Sequence, residues 1–221
     1  MENNVKAISK ALRVCLIFGA VISAIQIMPS FEEIGLLIAA EAGNFNNESE
    51  LIEAFDAAYE RGTIVGYFYF AVYALSAVLF CIWTFRANRF VRDAGAKNLR
   101  HSPGWSVGWF FVPILSFWKP YQAMSDLSRA SSSPADWASV RRNGVLPLWW
   151  AAWIGSIVFG ALVNRAAIVG ADSSEIAIHV GIAGASIIVD LMWAVTFVLA
   201  YVVVSHVSTL QDALYKNGNR T

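Results

Sequence analysis

The sequence predicts an all-α membrane protein with four transmembrane helices and one interfacial or re-entrant aromatic segment between spans two and three. Three observations carry that expectation. Of the 221 residues, 57% are hydrophobic and only 14% charged, against roughly 25% charged in a soluble domain. The apolar residues gather into long uncharged runs of membrane-spanning length. The basic residues sort almost entirely to alternate sides of those runs.

The first apolar run, 14–28, follows Lys6, Lys10 and Arg13. A basic start before an apolar core resembles a signal peptide, but no small-x-small cleavage site follows at Met28-Pro29-Ser30. A retained span over about 11–30 is expected. Residues 31–62 change character. They hold eight acidic residues and one basic residue, Arg61. Ile34, Leu37 and Ile38, then Leu51, Ile52, Phe55 and Tyr59, recur at helical spacing. The stretch Gly43-Asn44-Phe45-Asn46-Asn47 reads as a turn between two short amphipathic helices.

The second span, 63–85, carries no charge and ends in Arg86, Arg89 and Arg92. Next comes the uncharged run 105–118. At 1.5 Å per residue it covers about 21 Å, short of the ~20 residues a span needs. Pro113 interrupts it and basic residues flank both sides, Arg100 and Lys119. Trp105, Trp109, Phe110, Phe117 and Trp118 lie at its ends, and such rings favour the headgroup level. Tyr121, Met124 and Leu127 then form a short amphipathic stripe, broken at Ser131-Ser132-Ser133-Pro134. The third span is expected at about 145–165. The fourth, about 176–204, is longer than a ~30 Å core requires, so it tilts or projects. A polar tail, 207–221, follows.

Fourteen of the sixteen Lys and Arg fall in the N-terminal segment, in 86–142 or in the tail. Only Arg61 and Arg165 fall in the connections 31–62 and 166–175. By the positive-inside rule both termini are cytoplasmic. The location expected is a bacterial inner (plasma) membrane, and a spanning 105–118 would invert the pattern.

The block Pro103-Gly104-Trp105-Ser106-Val107-Gly108-Trp109-Phe110-Phe111-Val112-Pro113, continued by Lys119-Pro120-Tyr121-Gln122-Ala123-Met124, carries a family resemblance. With Trp83-Thr84-Phe85-Arg86-Ala87-Asn88 and Trp149-Trp150, it resembles a bacterial family of four-helix integral membrane proteins known only as a domain of unknown function. The resemblance covers roughly 60–210. It implies a bacterial inner membrane protein and carries over no activity.

Asp190 is the sharpest single feature, a carboxyl about midway along the fourth span. A charge at the bilayer centre costs about 2.5–3.5 kcal/mol on insertion scales. It reads either as a proton or cation site or as a polar link between helices, with Ser76 and Ser156 at similar depth. Tyr69 and Tyr73 are the nearby groups that could extend a proton chain. The aromatic segment, through Trp105, Trp109, Pro113, Trp118, Pro120 and Tyr121, reads as a pocket wall or as an interfacial anchor. Arg86, Arg89, Arg92, Lys97 and Arg100 are candidate contacts for anionic lipid headgroups, or serve topology alone. Ala152, Ser156, Gly160 and Asn164 on span three, with Ala177, Gly181 and Ala185 on span four, form small-residue faces expected to pack together or to pair two copies.

Cys15 and Cys81 sit in apolar runs and give no disulfide or metal framework. The three histidines are isolated, so no metal and no cofactor is expected. Zero net charge gives no field that would attract nucleic acid. No hydrolase or phosphate-binding motif appears. The function expected is a non-enzymatic module that binds lipid, a membrane protein partner or a second copy. The alternative is a small transporter or ion-coupled channel subunit using Asp190.

Overall fold

A computed structural model describes residues 2–218 of the chain, with side chains described over 5–217. Arg220 of the tail lies outside the described residues. The protein is 83% helical with no strand among the described residues. Four stretches, Val5–Glu41, Glu48–Asp93, Val145–Gly170 and Ile176–Asn217, are long and apolar enough to cross a membrane. This is a membrane protein. Its helices display large apolar side chains such as Phe68, Phe70 and Leu162, each more than half exposed, a surface suited to lipid and not to water.

Helices α1 (Glu2–Ile25) and α2 (Ile27–Glu41) meet at Gln26. The break has a local cause. Pro29 has no N–H to donate to the Ile25 carbonyl, and its ring crowds that turn. The helix then resumes, because nothing from 30 to 41 opposes it. The turn expected at 43–47 is present, with Gly43 at φ +69°. Helix α3 (Glu48–Asp93) starts on a reciprocal cap. Asn47 Oδ1 accepts from Glu50 N at 2.9 Å, and Glu50 Oε2 accepts from Asn46 N at 2.9 Å.

Of the two short amphipathic helices expected over 31–62, the first is present within the separate helix α2, and the second is not an element of its own but the opening of α3. Glu is a good helix former and seven of the eight acids in 31–62 are Glu, so the shift to acidic composition changes the solvent a helix faces without ending the helix. At 1.5 Å per residue, the 46 residues of α3 extend about 69 Å, well past a ~30 Å hydrocarbon core. Helix α3 ends at Gly95, φ +104°, where the amides of Gly95 and Ala96 return to the Arg92 and Val91 carbonyls.

The aromatic segment holds no long helix. It folds as α4 (Pro103–Gly108), two 3₁₀ turns at Trp109–Phe111 and Leu115–Phe117, and then α5 (Lys119–Ser132). Helix α5 stops where the Ser-Ser-Ser-Pro run was expected to stop it. Helices α6 (Val145–Gly170) and α7 (Ile176–Gly218) complete the chain. The expected tail is helical through its described residues, so α7 runs 43 residues and projects beyond any bilayer.

The chain divides into two compact units. The first comprises Met1–Ile17, Ala74–Ala151 and Val198–Thr221; the second comprises Phe18–Tyr73 and Ala152–Phe197. Trp83, Ala87, Val91, Met124, Leu127, Val204 and Val207 are sealed in the core of the first unit. In the second unit α6 and α7 pack antiparallel through small residues. A Cβ on Gly160 would stand 3.5 Å from Val189 Cγ1, and one on Gly155 would stand 3.2 Å from Met192 Cε. The α6 face expected to make this contact does so through Ser156 and Gly160. The α7 face does not: a Cβ on Gly181 would meet nothing within 4 Å. The larger residues of α7, Ile178, Ile182, Val189 and Met192, fill the space that the small residues of α6 leave.

Candidate functional site

The region 86–142 belongs to the first unit, and its shape is set by long polar side chains. Arg100 makes a two-pronged contact with Asp126, Nε to Oδ2 at 2.8 Å and an η nitrogen to Oδ1 at 2.6 Å. Asp126 is almost fully buried on α5, while Arg100 is about 41% exposed. The hydrogen bonds to Asp126 hold the guanidinium pKa above its ordinary value. Arg92 donates to Asn88 Oδ1 at 3.0 Å and to the His101 carbonyl at 2.6 Å. Arg129 donates to the Val140 carbonyl at 2.9 Å and to that of Ala138, and lies over the Trp137 ring.

These contacts divide the predicted basic set. Arg92 and Arg100 are committed to the protein. Arg86, Arg89 and Lys97 make no ion pair or side-chain hydrogen bond among the described residues, and Arg89 and Lys97 are exposed.

The aromatic block is built around Trp109. Its indole stacks on Trp105 with centroids 4.5 Å apart, and Lys119 Nζ lies 5.8 Å from the ring centre. Gly108 permits the stack, since a Cβ there would stand 3.1 Å from the Trp105 ring. Trp109 Nε1 donates to His101 Nδ1 at 3.0 Å, which fixes the neutral tautomer with the proton on Nε2. Burial, and then the Lys119 charge, hold the His101 pKa below its ordinary value. Trp150, from α6, donates to the Phe117 carbonyl at 2.9 Å and ties the second 3₁₀ turn in place. Pro120 is buried and Tyr121 half-buried beside Trp150. Pro113 is exposed, and the next residue, Ile114, takes φ +65° in the turn. Trp105, Phe111, Ile114, Phe117 and Trp118 present an exposed apolar row.

Asp190 lies in the second unit, half-buried, with no hydrogen bond or ion pair among the described residues. Tyr69 is within electrostatic reach of it. Tyr69 stacks near Tyr73, whose ring meets Trp193 edge-on at 5.4 Å. Ser156, expected as a partner for Asp190, instead pairs with Thr196 Oγ1 at 3.1 Å and donates to the Ala152 carbonyl. Ser76 belongs to the first unit, where its buried hydroxyl has no partner among the described residues.

Asp126 was not singled out from sequence, although a signal existed. It falls among Ala123, Leu127 and Ala130 on one helical face, and an acid on an apolar face needs a partner. His101 gave no such signal, because its role depends on a loop bringing it to Trp109. Among the described residues no group of three His, Cys, Asp or Glu side chains is placed to hold a metal ion.

A family model described as a domain of unknown function, DUF4328, matches residues 47–209. No curated protein and no solved structure matches the chain.

Proposed function

The chain belongs to the DUF4328 family, a domain of unknown function, and we propose that it is a non-enzymatic membrane module that binds anionic lipid or a membrane partner through 86–142. One observation carries this reading. The segment presents an exposed apolar row, Trp105, Phe111, Ile114, Phe117 and Trp118, on the same stretch of chain as the uncommitted cations Arg86, Arg89 and Lys97. Aromatic rings at headgroup depth and cations toward anionic headgroups are the two halves of interfacial recognition. The positive-inside pattern supports a cytoplasmic position for this face, at what we read as a bacterial inner membrane.

Native mass spectrometry of the full chain from a mild detergent tests the reading. Retention of an anionic phospholipid that Arg89→Gln/Lys97→Gln weakens is the expected result. A retained protein partner lost in the same variant would assign the face to that partner. A bare chain, or retention indifferent to the variant, would overturn the proposal.

A second reading rests on Asp190, a half-buried carboxyl in α7 without a hydrogen-bond partner among the described residues and with Tyr69 in reach. A polar link between helices would have engaged a partner; a site for a proton or cation needs none when empty. Proteoliposome flux that Asp190→Asn abolishes would support this reading. Equal flux in both proteins would end it.

A further inference from the structure

We propose that the start of α1 and the end of α7 form a binding site for a phosphate-bearing headgroup. A cavity of about 220 Å³ in the first unit is lined by Lys6, Lys10 and Arg13 from α1, by Phe90, and by Gln211 and Asp212 from α7. Lys6, Lys10 and Arg13 stand at i, i+4 and i+7 on one helical face.

Their commitments differ. Lys6 is held 3.6 Å from Asp212 and lies over the Tyr215 ring. Lys10 is exposed and makes no ion pair or hydrogen bond among the described residues. Arg13 spends only its Nε–H, on the Ser9 carbonyl at 3.3 Å, which leaves its terminal nitrogens for a ligand. Three cations thus face one carboxylate, and two of the three have donors to give. Cations gathered in a concave wall hold an anion better than the same charges on an open surface, because a low-dielectric wall focuses the field.

Gln211 is a fixed part of the wall. It is 5% exposed, and its Nε2 donates to the Ala87 carbonyl at 3.2 Å and to Ser131 Oγ at 3.1 Å. The donors left to a ligand are those of Lys10 and Arg13, and the occupant that suits them is a phosphate ester, such as one of glycerol. The volume agrees. It is below the ~300–1,000 Å³ of pockets that enclose a drug-sized ligand, and fits a headgroup better than a whole molecule. Val14 and Ile17, about half exposed, continue along α1 from the cavity and offer an apolar path for acyl chains. The site is independent of the function proposed above, since its cations come from α1 and not from 86–142.

The test uses the full chain in a maltoside detergent, with dioleoyl phosphatidylglycerol and glycerol 3-phosphate as separate probes. Binding is read by native mass spectrometry. Wild type is expected to bind at least one probe, and Lys10→Gln/Arg13→Gln to bind it about tenfold more weakly. Lys10→Arg/Arg13→Lys should bind close to wild type, and the tenfold loss in Lys10→Gln/Arg13→Gln should persist in an Arg89→Gln/Lys97→Gln background, which removes the free cations of 86–142. Lys10 is exposed and Arg13 half-buried, and an unshifted thermal midpoint confirms folding; if the double variant fails that check, the single variants replace it. Binding of phosphatidylglycerol alone identifies a membrane lipid, and binding of glycerol 3-phosphate identifies a soluble ester. Binding of neither probe, or equal binding by Lys10→Gln/Arg13→Gln and wild type, overturns the proposal.

Discussion

The two units of this protein are held together differently. Of the buried apolar residues among the described set, only Ala183 and Phe197 belong to the second unit; Leu12, Trp83, Val91, Met124, Leu127 and Val207 all belong to the first. The first unit also carries long-range polar contacts: Arg100 with Asp126, Gln211 with Ala87 and Ser131, and Ser9 with Ser208 at 2.6 Å. The second unit relies on close helix approach at Gly19, Gly155 and Gly160, on edge-on aromatic contacts of Tyr73 with Trp193 and Phe197, and on the Ser156–Thr196 hydroxyl pair.

In lipid, burying an apolar side chain such as Phe68 or Leu162 gains little, and helices associate through fit and hydrogen bonds. The first unit instead gathers Trp83, Met124 and Val204 into a close-packed core. The most hydrophobic parts of the sequence are therefore not the most buried parts of the molecule.

The strongest way to break this contrast is to delete one ring from each unit. Trp83, fully buried in the first unit, should cost about 3–5 kcal/mol as Trp83→Ala. Phe68, about 64% exposed in the second, should change stability by less than about 0.5 kcal/mol as Phe68→Ala. Denaturation followed by circular dichroism in one detergent compares them. Similar losses would show that the second unit hides a core of its own.

The polar half of the contrast is tested next. Asp126→Ala leaves Arg100 without its carboxylate, and Arg100 is partly solvated, so the expected loss is about 1–3 kcal/mol. The companion change Arg100→Ala should be worse than its exposure suggests, because it leaves the buried carboxylate unpaired. If both variants melt with the wild type, the pair is decoration and not a support.

Much of the fold was legible because membrane spans are written in the simplest available code. Runs without charge, ended by Arg86-x-x-Arg89-x-x-Arg92 or by Arg165, need no tertiary knowledge to locate. The turn at 43–47 was legible from its Gly and Asn residues, and the end of α5 from Pro134. Two things were not. The continuity of the acidic stretch from 48 to 62 with the second span was hidden because composition reports solvent, whereas helices end only where a residue such as Pro29 or Gly43 disrupts the backbone. The use of Arg92, Arg100 and Arg129 as internal struts was hidden because a basic residue looks the same in sequence whether it meets a carbonyl, an Asp or a headgroup. The site at Lys10 and Arg13 was masked in the same way, as the basic flank of a first span.

Within the second unit, glycines give a finer test. A Cβ on Gly19 would stand 2.4 Å from the Phe197 ring, so Gly19→Ala must displace a rigid side chain and should cost about 1–3 kcal/mol. Gly181 meets nothing within 4 Å, so Gly181→Ala should be neutral or stabilise by up to about 1 kcal/mol through helix propensity. Opposite signs in thermal midpoint are expected. A Gly19→Ala protein as stable as wild type would show that close helix approach is not what holds this unit.

The smallest effect sharpens the first unit alone. His101 accepts a hydrogen bond from Trp109 at Nδ1, and its Nε2 is buried beside Gln122. Lys119 and Arg100 oppose a charge there and Asp126 favours one, with burial the dominant influence. The folded pKa lies below the unfolded value, so on acidification the unfolded chain takes up the proton first. Stability is full above about pH 6.5, declines as pH falls through that value, and levels off once pH drops below the folded pKa. Protonation at Nδ1 would also remove the acceptor that orients Trp109, so Trp fluorescence should change over the same range. His101→Gln cannot titrate and should lose this component of the pH dependence. An unchanged profile would place the acid sensitivity elsewhere and free Trp109 from His101 as its orienting partner.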